Sequence, residues 1–311
     1  MADIKKCPSC SSYELKLVGA IPPSSLFAGR TLDRLLDGGN LYKCLSCRVL
    51  FRSPHSSKQE LNSLYASGST NNWSTDVEER ADWCLIRDWI TENDAVKYVL
   101  DVGCYDGRLL HSLGPEVTKY GVEINETAAS YAKSKGIIIL GDDFSELGNL
   151  EPIVDVVIAA DVIEHSPDPK EFLSNLASVV KEGGYILITT GNTDAMSWKL
   201  MGSKYWYCFI AEHISFINPS WIKHVVPPMA LQIEQIKFFS HAHGSVGLKV
   251  RIYELICNLI LRFAPSFFAF LRRQGFGGID VQKLPELEMS PPSWMSARDH
   301  MFIVLRKLRC T

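Results

Sequence analysis

Val99-Leu-Asp-Val-Gly-Cys-Tyr-Asp-Gly107 reads as the end of a buried strand running into a glycine turn. Apolar residues around Asp101 suit a strand covered on both faces. Gly103 and Gly107 permit a turn tight enough for another molecule to lie against bare backbone. Arg108-Leu-Leu-His-Ser-Leu113 then starts a helix, which completes a strand, loop and helix cradle of the nucleotide-binding type. Tyr105 stands where dinucleotide loops usually carry a middle glycine, so the loop alone is weak evidence.

The following segments repeat the alternation of strand and helix. Tyr120-Gly-Val-Glu-Ile124 reads as a second strand, with Glu123 placed 22 residues beyond Asp101. An acid at that strand end is positioned to accept hydrogen bonds from two ribose hydroxyls. Ile137-Ile-Ile-Leu140 is a third strand, running into Gly141-Asp-Asp-Phe144. Ile153–Ala159 is a fourth, closed by Asp161-Val-Ile-Glu-His-Ser-Pro-Asp-Pro169. A helix over about 169–181 leads to a fifth strand at Tyr185–Thr190. Gln232–Phe239 and His300–Arg306 supply a sixth and a seventh.

Leu100-Asp-Val-Gly-Cys-x-x-Gly107, Gly121-Val-Glu123 and Asp161-Val-Ile-Glu-His165 together resemble the class I S-adenosylmethionine-dependent methyltransferases, over roughly residues 95–245 plus the last strand. S-adenosylmethionine has no pyrophosphate, so it does not need the compact dinucleotide loop at a helix N-terminus. The resemblance implies a Rossmann-like α/β fold with a seven-stranded sheet whose last strand is antiparallel. It assigns Asp101 and the backbone at Gly103, Cys104 and Gly107 to the methionine end of the cofactor. Glu123, with Ile124 beside it, would grip the ribose. Asp142 or Asp143, with Phe144, would border the adenine, and the backbone around Asp161 would close the pocket beneath the sulfonium.

Two pairs of cysteines, Cys7-Pro-Ser-Cys10 and Cys44-Leu-Ser-Cys47, have the spacing of zinc knuckles. Four protein ligands leave no open position for water, so the expected zinc is structural. The 33 residues between the pairs exceed a usual ribbon interval and predict a loop extending at Ile21–Ser25. Arg48–Pro54 reads as the ribbon's last strand, with short helices over 58–65 and 76–92 after it. The other cysteines, 84, 104, 208, 257 and 310, read as apolar fillers. An N-terminal ribbon on this core resembles the bacterial sugar methyltransferases.

Transfer to a hydroxyl needs a base. His213, in Ala211-Glu-His-Ile-Ser-Phe216, resembles the catalytic histidine of the sugar enzymes; His165, after the fourth strand, is the second candidate. Those enzymes often carry Tyr where Ile210 stands, and Tyr207 is the nearest substitute. Trp198–Phe209 reads as an aromatic lid. The remaining histidines show no partner pattern.

About 60 residues separate the sixth and seventh strands where a hairpin would suffice. Leu248, Ile252, Leu255, Ile256, Leu259 and Phe263 recur at helical spacing, with Lys249, Arg251, Glu254, Asn258 and Arg262 on the other side. Pro265 ends this helix and a second begins. The pair is expected to pack on the sheet or on a second subunit of a homodimer. Residues 245–273 lying in a membrane interface is the alternative.

The divisions are therefore 1–57 ribbon, 58–94 linker and helices, 95–244 core, 245–295 insertion and 296–311 last strand. With 46% hydrophobic and 22% charged residues the composition is globular, and a net charge of −3 offers no general pull on nucleic acid. No run of 18 uncharged apolar residues predicts a spanning helix, and Met1–Lys6 lacks a signal-peptide core. A cytoplasmic location, or a peripheral one at the membrane, is the expectation. The predicted activity is methylation of a sugar hydroxyl, less favourably a carbon, on a nucleotide-, lipid- or polymer-linked glycan. An RNA methyltransferase and a non-catalytic scaffold are the rivals; the absence of a basic cluster interleaved with aromatics argues against the first.

Overall fold

The computed structural model describes residues 6–28, 30–67, 80–144, 147, 153–240, 246–278, 281–283 and 285–309. Its centre is a seven-stranded sheet built from β6 (Tyr98–Val102), β7 (Thr118–Val122), β8 (Ile138–Gly141), β9 (Val154–Ala160), β10 (Val180–Gly191), β12 (Leu231–Phe239) and β13 (His300–Lys307). The order is β12-β13-β10-β9-β6-β7-β8, and every neighbouring pair not involving β13 is parallel. β13 runs antiparallel to both β10 and β12, as expected. Chain order reverses between β6 and β9, and ligands of open α/β sheets bind at the carboxyl ends of strands there.

Both faces of the sheet are covered, which explains its continuous apolar runs. Leu100, Val157, Ile186 and Ile303 point into one core with Phe172 and Leu176 of α5 (Pro169–Val179). Val99, Val156, Leu187 and Val304 point into the other with Ile86 and Ile90 of α2 (Ala81–Thr91). The helix expected over 76–92 is seen from Ala81; residues 76–79 lie outside the described residues. α5 begins at Asp168, whose carboxylate accepts from the Lys170 and Glu171 amides, with Pro169 in the first turn. It ends at Val179 rather than near 181, because Val180 is already paired with Val154 in the sheet.

The N-terminal region is a second sheet: β1 (Leu15–Ala20), β4 (Asn40–Cys44) and β5 (Leu50–Ser53), antiparallel. The loop expected at Ile21–Ser25 is instead the entry to a hairpin of β2 (Ser24–Phe27) and β3 (Arg30–Leu36). This sheet is completed by β11 (Ser215–Phe216), whose Ser215 and Phe216 pair with Phe51 and Leu50. A boundary at residue 57 therefore separates strands of one sheet.

The insertion forms α9 (Leu248–Phe263) and α10 (Pro265–Arg273), bent by 118° at Ala264. Packing of α9's apolar stripe on the protein's own sheet is not what is found. Its buried residues are Glu254, Cys257, Asn258 and Leu261, while Leu248, Ile252, Leu255, Ile256 and Phe263 are exposed.

Candidate active site

Asp101 ends β6 with its side chain buried, and burial pushes its carboxyl above the usual range, with Glu123 adding to the rise. Gly103 and Gly107 follow with φ of +78° and +75°. A Cβ at Gly107 would stand 2.1 Å from Ile137, and one at Gly103 would stand 2.9 Å from Val162. Tyr105 adopts φ +50°, a left-handed backbone at the position of the missing glycine. Glu123 stabilises it: one carboxylate oxygen accepts from the Tyr105 amide and the other from the Asn125 amide, both at 2.8 Å. Each oxygen retains a second lone pair for a ligand hydroxyl. Cys104 is buried, its sulfur against Gly121 of β7, and its backbone amide bonds the Val122 carbonyl. Ile124 is half-buried next to the Glu123 clamp.

Asp101, Gly103, Cys104, Gly107, Glu123 and Ile124 thus converge on adjoining strand ends. The adenine-border candidates are less uniform. Asp142 is exposed; Asp143 is ion-paired to Lys58 at 3.0 Å; Phe144 sits edge-on to Phe172 at 4.9 Å. Asp161 follows β9 with φ +54°. Its carboxylate pairs with Arg80, which also bonds the buried Asp82 at 2.6 Å. Arg80's charge draws the Asp101 carboxyl downward, against burial. Sequence reading missed Arg80 because it precedes α2, where no periodic signal marks it. The glycine cradle and buried strand-end carboxylates are a donor and acceptor set that fits an uncharged ribose and an amino-acid terminus.

His165 and His213 are brought together, ring centroids 4.9 Å apart and edge to face. Their nitrogens differ. His165 Nε2 lies 3.1 Å from the Asp161 carbonyl, which only accepts, so that nitrogen carries the proton. Its Nδ1 then accepts from the Tyr65 hydroxyl at 2.6 Å. His213 Nδ1 donates to the Tyr207 carbonyl at 3.2 Å, which leaves Nε2 with an uncommitted lone pair. Burial holds both imidazoles below their usual value of 6.5, His213 well below.

Tyr207 packs against His213 with centroids 4.2 Å apart and rings tilted by 53°, and its hydroxyl donates to buried Glu164. Glu164 also accepts from Thr190 at 2.9 Å. Glu164, His165 and His213 offer ligand atoms within 4.8 Å of one another, yet both Glu164 oxygens and both His165 nitrogens already have protein partners. That set is a hydrogen-bond network rather than a metal site.

The segment carrying His213 is fixed from the N-terminal sheet. Arg52 of β5 is buried and donates to the carbonyls of Ala211 at 2.8 Å and Ile210 at 3.0 Å, and also to that of Cys208. Its burial lowers it to about 10. The Arg52 amide donates to the Ile214 carbonyl at 2.8 Å. Glu212 accepts from the Ala28 amide at 2.8 Å. Tyr65, on α1 (Lys58–Ala66), holds His165 from the same side. None of these long-range partners has a signature in the sequence.

The four cysteines gather at one end of that sheet, where β4 finishes at Cys44. Cys7 and Cys47 sulfurs are 3.6 Å apart, Cys10 and Cys44 sulfurs 3.5 Å apart, and all four lie within 4.8 Å of one another. A disulfide needs about 2.05 Å. Four bonds of about 2.3 Å to one zinc would place the sulfurs about 3.8 Å apart. The residues present fit a shared cation.

Residues 77–227 match the family model described as Methyltransferase domain. A ubiquinone biosynthesis O-methyltransferase of Pectobacterium carotovorum subsp. carotovorum (strain PC1) is 29% identical over 154 residues, 45% of this chain and 64% of the relative. One from Thiobacillus denitrificans (strain ATCC 25259 / T1) is 28% identical over 158 residues, 46% of this chain and 67% of that one. The chain spans roughly two thirds of these relatives' length. In fold, the chain is similar to one from the solved complex of the Haloferax volcanii Trm112 methyltransferase activator. The TM-score is 0.52 at 13% identity, covering 82% of this chain and 100% of that chain. The matched residues include Asp101, Glu123, His165 and His213; the cysteine pairs and the helical insertion lie outside them.

Proposed function

We propose that this chain is an S-adenosylmethionine-dependent O-methyltransferase in which His213 is the general base. The observation that carries this reading is the asymmetry of the two histidines: only His213 retains a ring nitrogen without a partner. Asp101, Glu123 and the backbone of Gly103, Cys104 and Gly107 would hold the cofactor, which when bound supplies a methyl carbon activated by a sulfonium leaving group. His213 Nε2 removes the acceptor's hydroxyl proton as the carbon–oxygen bond forms. The Tyr207 carbonyl, bonded to Nδ1, fixes the tautomer and stabilises the imidazolium that results. His165, held by Tyr65 and the Asp161 carbonyl, packs edge-on and keeps the ring in place. The cysteine cluster is assigned a structural zinc, since four protein thiolates fill the tetrahedron.

For the acceptor we infer a sugar hydroxyl of a nucleotide-, lipid- or polymer-linked glycan, supported by the Glu212-His-x-Ser-Phe216 segment and the cysteine pairs. A phenolic hydroxyl is the second reading. The similarity to ubiquinone biosynthesis O-methyltransferases favours it, as does a buried base of low basicity, which more readily takes a proton from a more acidic hydroxyl. Mass spectrometry for a methylated product, run across nucleotide sugars, glycan extracts and polyphenols, distinguishes the two. His213→Ala is expected to lower turnover by about 10²- to 10⁴-fold with cofactor affinity nearly unchanged. Normal turnover by that variant overturns the base assignment.

A further inference from the structure

We propose that the exposed stripe of α9 and the start of α10 is a docking face for an anionic lipid bilayer. Leu248, Ile252, Ile256, Leu259 and Phe263 follow one another at intervals of three or four residues and so form a single stripe. That stripe, half-buried only at Leu259, points away from the protein: Leu248 is 72% exposed, Ile256 50% and Phe263 69%. The opposite face, which meets the protein, carries the polar Glu254 and Asn258 beside buried Cys257 and Leu261. Buried Glu254 accepts from the amides of Met295 at 3.0 Å and Ser296 at 3.1 Å, and from the Ser296 hydroxyl. Asn258 is fully buried beside it. An ordinary surface helix buries its apolar face and exposes its polar one. Here the inner face is held by the hydrogen bonds of Glu254 together with packing at Leu261, and the longer apolar stripe is left for an apolar surrounding.

Phe267 and Phe270 continue the exposed surface onto α10, their rings 6.4 Å apart. Charge identifies the partner. Residues 248–273 hold five Lys and Arg against one Glu, a net of +4 in a chain of net −3, so the remainder carries −7. Exposed Lys249 borders one edge of the stripe by helical spacing, and exposed Arg251 and Arg262 border the other. An apolar stripe rimmed by basic residues matches the acyl and headgroup layers of an anionic membrane. No single helix among the described residues is long and apolar enough to cross a membrane, and the 118° bend suits a pair lying in the interface. The inner side of the pair reaches the lid: Leu261 and Phe268 share a core with Trp198, Tyr205 and Tyr207. The inner side of the pair thus belongs to the same core as Tyr207, whose ring lies against His213.

Co-sedimentation of the full chain with vesicles of phosphatidylcholine and about 30% phosphatidylglycerol tests this, with pure phosphatidylcholine vesicles as control. Binding is expected for the anionic vesicles and weaker by tenfold or more for the neutral ones. Lys249→Gln is expected to weaken it about fivefold, the effect of one basic residue near an anionic surface. Ile252→Glu with Ile256→Glu is expected to abolish it, with the thermal midpoint unchanged because both side chains are exposed. No pelleting with anionic vesicles overturns the proposal. So does a dimer in sedimentation equilibrium that the Ile252→Glu, Ile256→Glu chain no longer forms. The measurement reads binding alone and is independent of the methyl-transfer reading.

Discussion

Two additions surround the central sheet, and they face in opposite senses. The N-terminal region turns its hydrogen-bonding groups inward: Arg52 and its amide from the sheet, Ala28 from the hairpin and Tyr65 from α1 all reach residues that carry or flank the two histidines. The α9–α10 pair keeps its hydrogen bonds for anchoring and turns its apolar surface outward. The first is built as a scaffold for the site, the second as a surface for something else. Composition alone does not separate them, since both contain apolar and basic residues. The direction of the side chains does.

The largest expected effect comes from dismantling the scaffold. Cys44→Ser with Cys47→Ser, or prolonged treatment with a chelator, removes the proposed zinc, whose binding free energy in small zinc domains is about 10 kcal/mol or more. Thermal unfolding and methyl transfer should then fall together, because β5 and β11 are partners. Turnover that survives with the N-terminal sheet melted would break the link between scaffold and site. Arg52→Ala removes the donor to three buried carbonyls and is expected to cost about 3 kcal/mol, read by urea unfolding. Arg52→Lys should restore only part of that, since an ammonium cannot reproduce the guanidinium's fork.

Acid sharpens the comparison at the histidines. His165 and His213 are held below 6.5 when folded, whereas the unfolded chain takes up protons near that value. The unfolded state therefore binds more protons as pH drops through 6.5, and stability should decline there. The part of the pH–rate profile due to His213 should likewise keep its acid limb below 6.5. A limb at or above 6.5 assigned to His213 would contradict its burial. The smallest effect is expected at the other addition. Ile252→Glu alone should change unfolding free energy by no more than about 0.5 kcal/mol, because its side chain meets no core. A loss of 2 kcal/mol or more would show that α9 packs on something within the chain.

Much of the sheet was legible before the structure. β6, β7, β9 and β13 lie within two residues of their expected bounds, because strands covered on both faces must be apolar along their length. The cysteine pairs were legible from spacing, and their sulfurs do converge. The β2–β3 hairpin was not, since Arg30–Leu36 mixes charge with apolar residues and no turn pair marks it. Arg52, Tyr65 and Arg80 were missed because each acts on a partner 80 to 160 residues away.

The order of residues determined the alternation of strand and helix, the glycine turn after Asp101, and an amphipathic α9, because these depend on periodicity and on neighbours a few positions apart. Tertiary structure decided which histidine kept a nitrogen open, which strand completed the N-terminal sheet, and which way α9 turned. Those outcomes are settled by hydrogen bonds closed between distant segments. A helix anchored by Glu254 to the Met295 and Ser296 amides, and by Leu261 to the core, turns the side that carries Leu248, Ile252 and Ile256 outward.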